Sequence, residues 1–227
     1  MIATAAEPRR PVGRIAAWLT FALLFSALNY AARFAGGEEP KDVAYRYSTS
    51  VAAVIQYGLI LGILLLIARG LPKRHAFGLW RPVSWPRALG YSLLALLTIW
   101  IVAAILSPFL DATDEQGLVP DKWEPRRAGA FVVFFVVVAV LAPVVEELTF
   151  RGLGFSLFWS YGRWPAIVVT GILFGMAHGL VVALPVLAVF GIAVGWVRDR
   201  TRSVYPGMIL HGAFNGVALL ASVLIAR

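Results

Sequence analysis

The 227-residue chain is 60% hydrophobic and only 14% charged, and it contains no cysteine. Soluble domains are about 45–50% apolar and about 25% charged, so this composition excludes a soluble globular enzyme. The lack of cysteine excludes disulfides, thiolate metal sites and a cysteine nucleophile. The net charge of +8 is better explained by a membrane than by nucleic acid, because basic residues are retained at the cytoplasmic surface. We expect no nucleic-acid partner.

Six stretches of the chain lack Asp, Glu, Lys and Arg, and a helical crossing of a bilayer takes about 20 such residues. They are 15–32, 47–68, 88–110, 128–145, 164–197 and 203–226. The stretch 164–197 is too long for one crossing and should fold back near Gly179 to Pro185. The sequence therefore predicts an all-α, polytopic transmembrane bundle of about seven spanning helices. We expect residues 1–227 to form a single integral membrane domain.

The basic residues between the apolar stretches indicate how the chain is oriented in the membrane. With the N-terminus in the cytoplasm, thirteen of the twenty Lys and Arg residues lie on the cytoplasmic side, as the positive-inside rule requires. The segment 70–87 belongs to that side and combines Trp80 and Trp85 with five basic residues, which is typical of the membrane interface. The abundance of Ala and Arg favours a bacterial source, so we expect the bacterial cytoplasmic (inner) membrane, with membrane lipid as a partner.

Four ionisable residues stand out because they lie within or directly beside apolar stretches: Glu146, Glu147, His178 and His211. Such groups cost several kcal/mol at membrane depth, so they are candidates for function. The alternative is that they only hold helices together by hydrogen bonds.

Helical geometry assigns different neighbours to the two adjacent acids, since their side chains point about 100° apart. Arg151 follows Glu147 by four residues, in the favourable order for an ion pair. We therefore predict that Glu147 and Arg151 form a structural pair and that Glu146 is the chemically available carboxylate. Pro143 has no N–H to donate to the Ala139 carbonyl and should kink the helix just before the acids.

The polar groups are also predicted to lie at similar depth. Glu146 is 16 residues before a turn near Gly162 and His178 is 16 residues after it, which places both about 24 Å from that turn in a helical hairpin. His211 and Asn215 are four residues apart and share one face of the last helix. The four side chains can therefore meet.

Three short motifs occur in order on separate apolar stretches: EELTFR at 146–151, FGMAH at 174–178 and HGAFN at 211–215. These fit the patterns Glu-Glu-x-x-x-Arg, Phe-x-x-x-His and His-x-x-x-Asn. The chain resembles the type II CAAX prenyl protease and bacteriocin-processing (CPBP, or Abi) family of intramembrane proteases, which includes the Ras-converting enzyme. The resemblance covers about 128–220, which would be the catalytic core.

The resemblance implies hydrolysis of a peptide bond within the membrane, with a peptide or protein as substrate. Glu146, assisted by His178, would activate a water molecule, and His211 and Asn215 would stabilise the oxyanion. Glu147 and Arg151 would support the site, in agreement with the predicted ion pair.

Metal dependence stays open at this stage, because Glu146, His178 and His211 could also bind Zn²⁺ with a free position for water. Against zinc, the chain has no His-Glu-x-x-His motif, and no second carboxylate is free to act as the base if Glu147 pairs with Arg151. We expect a metal-free glutamate mechanism without a cofactor, with zinc as the alternative.

Two other functions compete with the protease. A catalytically silent membrane immunity or scaffold protein would bind a peptide partner through the same pocket. A small transporter would need paired half-helices or inverted repeats, which the sequence does not show. Peptide cleavage by the purified protein distinguishes the three.

Overall fold

The computed structural model describes residues 11–36, 42–110, 120 and 122–225. Within these ranges the chain is helical and has no strand, so the predicted all-α fold is confirmed. The N-terminal residues, whose side of the membrane the charge count predicts, lie outside the described ranges. Eight helices are described: α1 Val12–Phe34, α2 Tyr47–Ile67, α3 Lys73–Ala76, α4 Trp85–Leu106, α5 Pro125–Tyr161, α6 Arg163–Met176, α7 Leu184–Thr201 and α8 Tyr205–Ile225.

Five of these helices, namely α1, α2, α4, α5 and α8, are long and apolar enough to cross a membrane. The stretch 164–197 is divided between α6 and α7 by a turn over 177–183, where Gly179 has a φ of +66°. The predicted fold-back near Gly179 is therefore confirmed. The seven helices other than α3 correspond to the seven apolar segments of the sequence, although α6 has only 14 residues and α7 ends in charged residues.

The central helix α5 is 37 residues long and contains two π-helical segments. They are Val137–Leu141 and Leu148–Gly154, and they flank the α-helical turn Ala142–Glu147 that carries both acids. The missing N–H of Pro143 is thus accommodated by a widened turn that immediately precedes it, where the sequence predicted a kink. Segments of π-helix inside α-helices are frequent at functional sites.

Neighbouring helices donate hydrogen bonds to backbone carbonyls in both π-helical segments. The Asn215 side chain of α8 donates to the Val138 carbonyl at 3.1 Å. The Trp18 indole of α1 donates to the Thr149 carbonyl at 3.0 Å. Buried carbonyls require such partners, so the irregular backbone around the acids depends on contacts from both ends of the chain.

α6 packs closely against α7 beside the part of α5 that carries the first motif. A Cβ on Gly191 of α7 would overlap the carbonyl group of Gly171 on α6, so only glycine fits at this crossing. The same Gly191 offers its carbonyl oxygen to Arg151 Nη2 at 2.9 Å. The crossing therefore positions an acceptor for the arginine of the first motif.

Candidate active site

Glu146 lies on the α-helical turn of α5, and its side chain is 21% exposed. It faces a cavity of about 200 Å³ that is formed by α1, α2, α5 and the turn after α6. The cavity is lined by Phe21, Ala22, Phe25, Asn29, Gln56, Tyr57, Ile60, Val145, Glu146, Thr149, Phe150, Ala177 and His178. Glu146 is thus accessible to a small molecule, whereas its neighbour Glu147 does not line this cavity.

Tyr57 of α2 donates a hydrogen bond from its hydroxyl to Glu146 Oε1 at 2.7 Å. Tyr57 is not among the predicted site residues, which are charged side chains, histidines and one asparagine. A signal was present, since Gln56 and Tyr57 are adjacent polar side chains in the otherwise apolar segment 51–68. Both line the cavity.

His178 does not lie on a helix as the hairpin argument assumed, because α6 ends at Met176 and His178 is in the turn that follows. Its Nδ1 is 2.8 Å from the Phe174 carbonyl oxygen. A carbonyl can only accept, so Nδ1 carries the proton and Nε2 keeps its lone pair. The turn is held by α1, since Asn29 Nδ2 donates to the Ala177 carbonyl at 2.8 Å. His178 and Glu146 line the same cavity.

His211 of α8 is buried, with 3% exposure, and lies between the two acids. Its Nε2 is 3.8 Å from Glu146 Oε2, and its Nδ1 is 3.3 Å from Glu147 Oε1. The rings of Phe174 and Phe190 pack edge-on against the imidazole, with centroids 5.5 and 5.0 Å away. The two acids point in different directions, as predicted, yet one histidine contacts both.

Glu147 and Arg151 are both fully buried, and Glu147 Oε1 lies 3.0 Å from Arg151 Nη1. The predicted i,i+4 ion pair is therefore present. Nη1 is not aligned for a hydrogen bond, so the contact is mainly electrostatic. The guanidinium also lies over the Phe174 ring, 4.3 Å from its centroid. A Cβ on Gly207 of α8 would come within 2.7 Å of Glu147 Oε2, so the backbone of α8 closes over this acid.

The Asn215 side chain contacts the backbone of α5. It is half-buried on α8, and its amide donates to the Val138 carbonyl. Neither Asn215 nor His211 lines the cavity with Glu146. Glu146 and His178 thus line one cavity, and His211 contacts Glu146 from outside that cavity. The Asn215 side chain contacts the first π-helical segment.

The fit of these residues to zinc is incomplete. His178 and His211 each direct Nδ1 at a protein oxygen and leave Nε2 open, which is also how zinc-bound histidines are oriented. Over residues 11–36, 42–110, 120 and 122–225, however, no group of three or more His, Cys, Asp or Glu side chains is arranged to hold a metal ion.

Comparison with known families identifies the segment that carries all three motifs. Residues 128–217 match the family described as type II CAAX prenyl endopeptidase Rce1-like. The match covers about two-fifths of the chain and leaves α1, α2 and α4 outside. No curated protein and no solved structure matches the chain significantly.

Proposed function

We propose, from the premise that residues 128–217 belong to the type II CAAX prenyl endopeptidase family, that this integral membrane protein hydrolyses a peptide bond with a water activated by Glu146. The family is one of proteases, whose substrates are peptides. The observation that carries the specific mechanism is the cavity in which Glu146, Tyr57 and His178 meet. A carboxylate at membrane depth with an accessible cavity has the surroundings expected of a general base.

The proposed reaction starts from a water in the cavity, next to Glu146. Tyr57 holds Oε1, so Oε2 accepts a proton from the water while the water oxygen adds to the substrate carbonyl carbon. His178 Nε2 orients the water by accepting its second hydrogen. When the peptide C–N bond breaks, Glu146 returns its proton to the departing amine. One water is consumed, and Glu146 ends as a carboxylate.

Stabilisation of the oxyanion is assigned to His211 and Asn215. His211 donates through Nδ1 to Glu147 and through Nε2 to the developing negative charge. Asn215 has a second N–H beyond the one given to Val138, and we assign that N–H to the oxyanion. Donors fixed before reaction contribute most to this kind of catalysis.

Cleavage by purified, full-length protein tests the proposal. We expect hydrolysis of members of a panel of plain and prenylated peptides, near the C-terminus or at a membrane-proximal bond. Glu146→Gln should lose at least about 100-fold in turnover with an unchanged melting temperature, because it keeps the side-chain shape and removes the base. Absence of cleavage by folded wild-type protein across the panel would contradict the proposal and favour the immunity or scaffold function.

We further propose that hydrolysis needs no metal. The support is the donor set, in which Tyr57 holds one oxygen of Glu146 and the described side chains form no three-ligand cluster. Activity should survive exhaustive chelation, and elemental analysis should find no stoichiometric zinc. Loss of activity on chelation, with recovery on adding Zn²⁺ alone, would contradict this and support the zinc alternative of Glu146, His178 and His211.

We propose the bacterial cytoplasmic membrane, with the N-terminus in the cytoplasm, as the location of the chain. The support is the excess of basic residues on one side of the predicted spans. The orientation is tested by fusing reporter proteins at either end of the loop 70–87, one reporter being active only in the cytoplasm and the other only in the periplasm. A periplasmic signal from that loop would contradict it.

A further inference from the structure

A second cavity, of about 540 Å³, lies at the end of the bundle where α5 and α7 terminate. It is formed by the end of α5, the end of α7 and the segment between α3 and α4. Three arginines and two tryptophans dominate its lining: Trp80, Arg81, Trp159, Arg198 and Arg202. None of them belongs to the three motifs, and the hydrolysis proposed above does not use them.

Arg198 gives this cavity a fixed cationic wall. Only 9% of the residue is exposed, and its guanidinium lies over the Phe155 ring, 5.0 Å from the centroid. On its other side is Gly78, where an added Cβ would lie 2.8 Å from Arg198 Nε. Nε donates to the Arg151 carbonyl at 3.1 Å. A guanidinium held flat in this way offers its remaining N–H groups to a ligand with little loss of side-chain freedom.

The charge facing the cavity is positive. Among the described residues, Asp199 is the one carboxylate that lines it, and its Oδ2 accepts a hydrogen bond from Arg163 at 2.7 Å. In the part of the chain that the structure describes, no carboxylate forms an ion pair with Arg81, Arg198 or Arg202. Three cations therefore converge on a space whose only anion is already paired.

The aromatic residues place this cavity at the level of lipid headgroups. Trp80 packs against the His75 ring, with centroids 4.8 Å apart, and the Arg74 guanidinium lies 4.5 Å from the Trp80 ring. Trp159 is 48% exposed at the last turn of α5. Tryptophans concentrate at membrane–water interfaces, and basic pockets between membrane helices bind anionic headgroups.

We propose that this cavity binds the phosphate group of an anionic phospholipid. Guanidinium groups donate paired hydrogen bonds to phosphate oxygens, and Arg198 is fixed for this purpose, with Arg81 and Arg202 completing the cationic wall. The two tryptophans contact the glycerol and upper acyl region. Free phosphate has the same charge chemistry but lacks the apolar part, and the experiment separates the two sources.

Binding at this cavity also reaches the helix that carries the acids. Arg198 donates to the backbone carbonyl of Arg151, and the Arg151 side chain pairs with Glu147. A lipid phosphate that holds Arg198 therefore fixes the second π-helical segment. This predicts a thermal stabilisation that does not depend on whether the protein cleaves peptides.

The test uses full-length protein in nanodiscs of phosphatidylcholine alone or with 30 mol% phosphatidylglycerol. We expect phosphatidylglycerol to raise the melting temperature and to be retained by the protein in native mass spectrometry. The double variant Arg81→Gln/Arg202→Gln should retain this lipid at least about tenfold less and lose most of the stabilisation. Arg198 is left intact because its removal endangers folding.

The matched control is Arg69→Gln/Arg87→Gln, which removes the same charge from exposed residues outside the cavity. It should behave as wild type. Equal loss in the control would overturn the proposal, because binding would then follow net charge. Equal stabilisation by millimolar inorganic phosphate in phosphatidylcholine would overturn the lipid assignment in favour of a free anion, and no stabilisation by either would overturn the site.

Discussion

The side of α5 that faces α1 and α2 is open around Glu146, whereas the side that faces α6, α7 and α8 is closed around Glu147. Glu146 lines a cavity and accepts a hydrogen bond from Tyr57. Glu147 is fully buried and contacts Arg151 and His211. Two chemically identical side chains, adjacent in the sequence, thus acquire different properties from packing alone. The open side is suited to proton transfer and the closed side to holding His211.

The largest effect on stability is expected on the closed side, from Glu147→Gln. The substitution leaves the Arg151 guanidinium without its carboxylate in a fully buried position, and breaking a buried ion pair from one side costs about 3–5 kcal/mol. Thermal melts in mild detergent should show a large fall in melting temperature. The comparison variant is Glu124→Gln, which removes a half-buried carboxylate that directly precedes α5 and pairs with Arg127; it should lower the melting temperature far less, because ion pairs near the surface contribute only about 0–1 kcal/mol. A stable, wild-type-like Glu147→Gln protein would contradict the difference between the sides.

The double variant Glu147→Gln/Arg151→Gln tests whether the loss of stability comes from the unpaired charge of Arg151. It removes the orphan charge together with its partner, so part of the lost stability should return. The measurement is the melting temperature of the double variant relative to each single variant. A double variant that is no more stable than Glu147→Gln would show that the pair is not the main interaction on this side.

On the open side, Tyr57→Phe should lower turnover by about tenfold and lower the melting temperature less than Glu147→Gln does, because Glu146 keeps its access to the cavity and no buried charge loses its ion partner. Hydrogen bonds to charged groups are worth about 1.5–3 kcal/mol, and this bond holds Oε1 of Glu146, the oxygen opposite the one that we propose takes the proton. Rates at saturating peptide are compared with those of Tyr91→Phe, whose ring packs on Trp196 outside the cavity. Wild-type turnover in Tyr57→Phe would remove Tyr57 from the mechanism.

A further effect on stability is expected from Trp18→Phe, which should lose at least about 1 kcal/mol, because a buried carbonyl loses its donor and the smaller ring leaves space at a fully buried position. The ring still packs against Phe150, but the Thr149 carbonyl loses its indole donor, and an unsatisfied buried acceptor is costly. Trp100→Phe on the exposed face of α4 is the control. Because Trp18 supports the second π-helical segment from α1, equal melts for the two variants would show that this carbonyl needs no partner.

The sequence was sufficient for features that depend on local geometry. The four-residue spacing of Glu147 and Arg151 predicted their ion pair, and the length of the stretch 164–197 predicted the turn at Gly179. Their equal distance in sequence from the turn near Gly162 also predicted that Glu146 and His178 lie at the same depth. These inferences need only the helical rise, the helical period and the thickness of a bilayer.

Other features depended on tertiary contacts that no local pattern encodes. Tyr57 carries no charge, and its partner is 89 residues away, so the polar pair Gln56 and Tyr57 marks a position in α2 without indicating which residue it contacts. The amino-acid composition of the π-helical segments does not distinguish them from α-helix. The sequence therefore contains no indication that the Val138 carbonyl accepts a hydrogen bond from Asn215. His178 was placed on a helix because its motif is apolar, although α6 ends two residues earlier.

The central claim is that Glu146 is the base and Glu147 the structural acid, and one side-by-side measurement tests it directly. Wild type, Glu146→Gln and Glu147→Gln are purified in parallel, and each is assayed for peptide turnover and thermal melting in the same detergent. The account predicts that Glu146→Gln melts like wild type and is inactive by at least about 100-fold, while Glu147→Gln melts much lower. A well-folded, inactive Glu147→Gln beside an unstable Glu146→Gln would contradict the account and reverse the two roles.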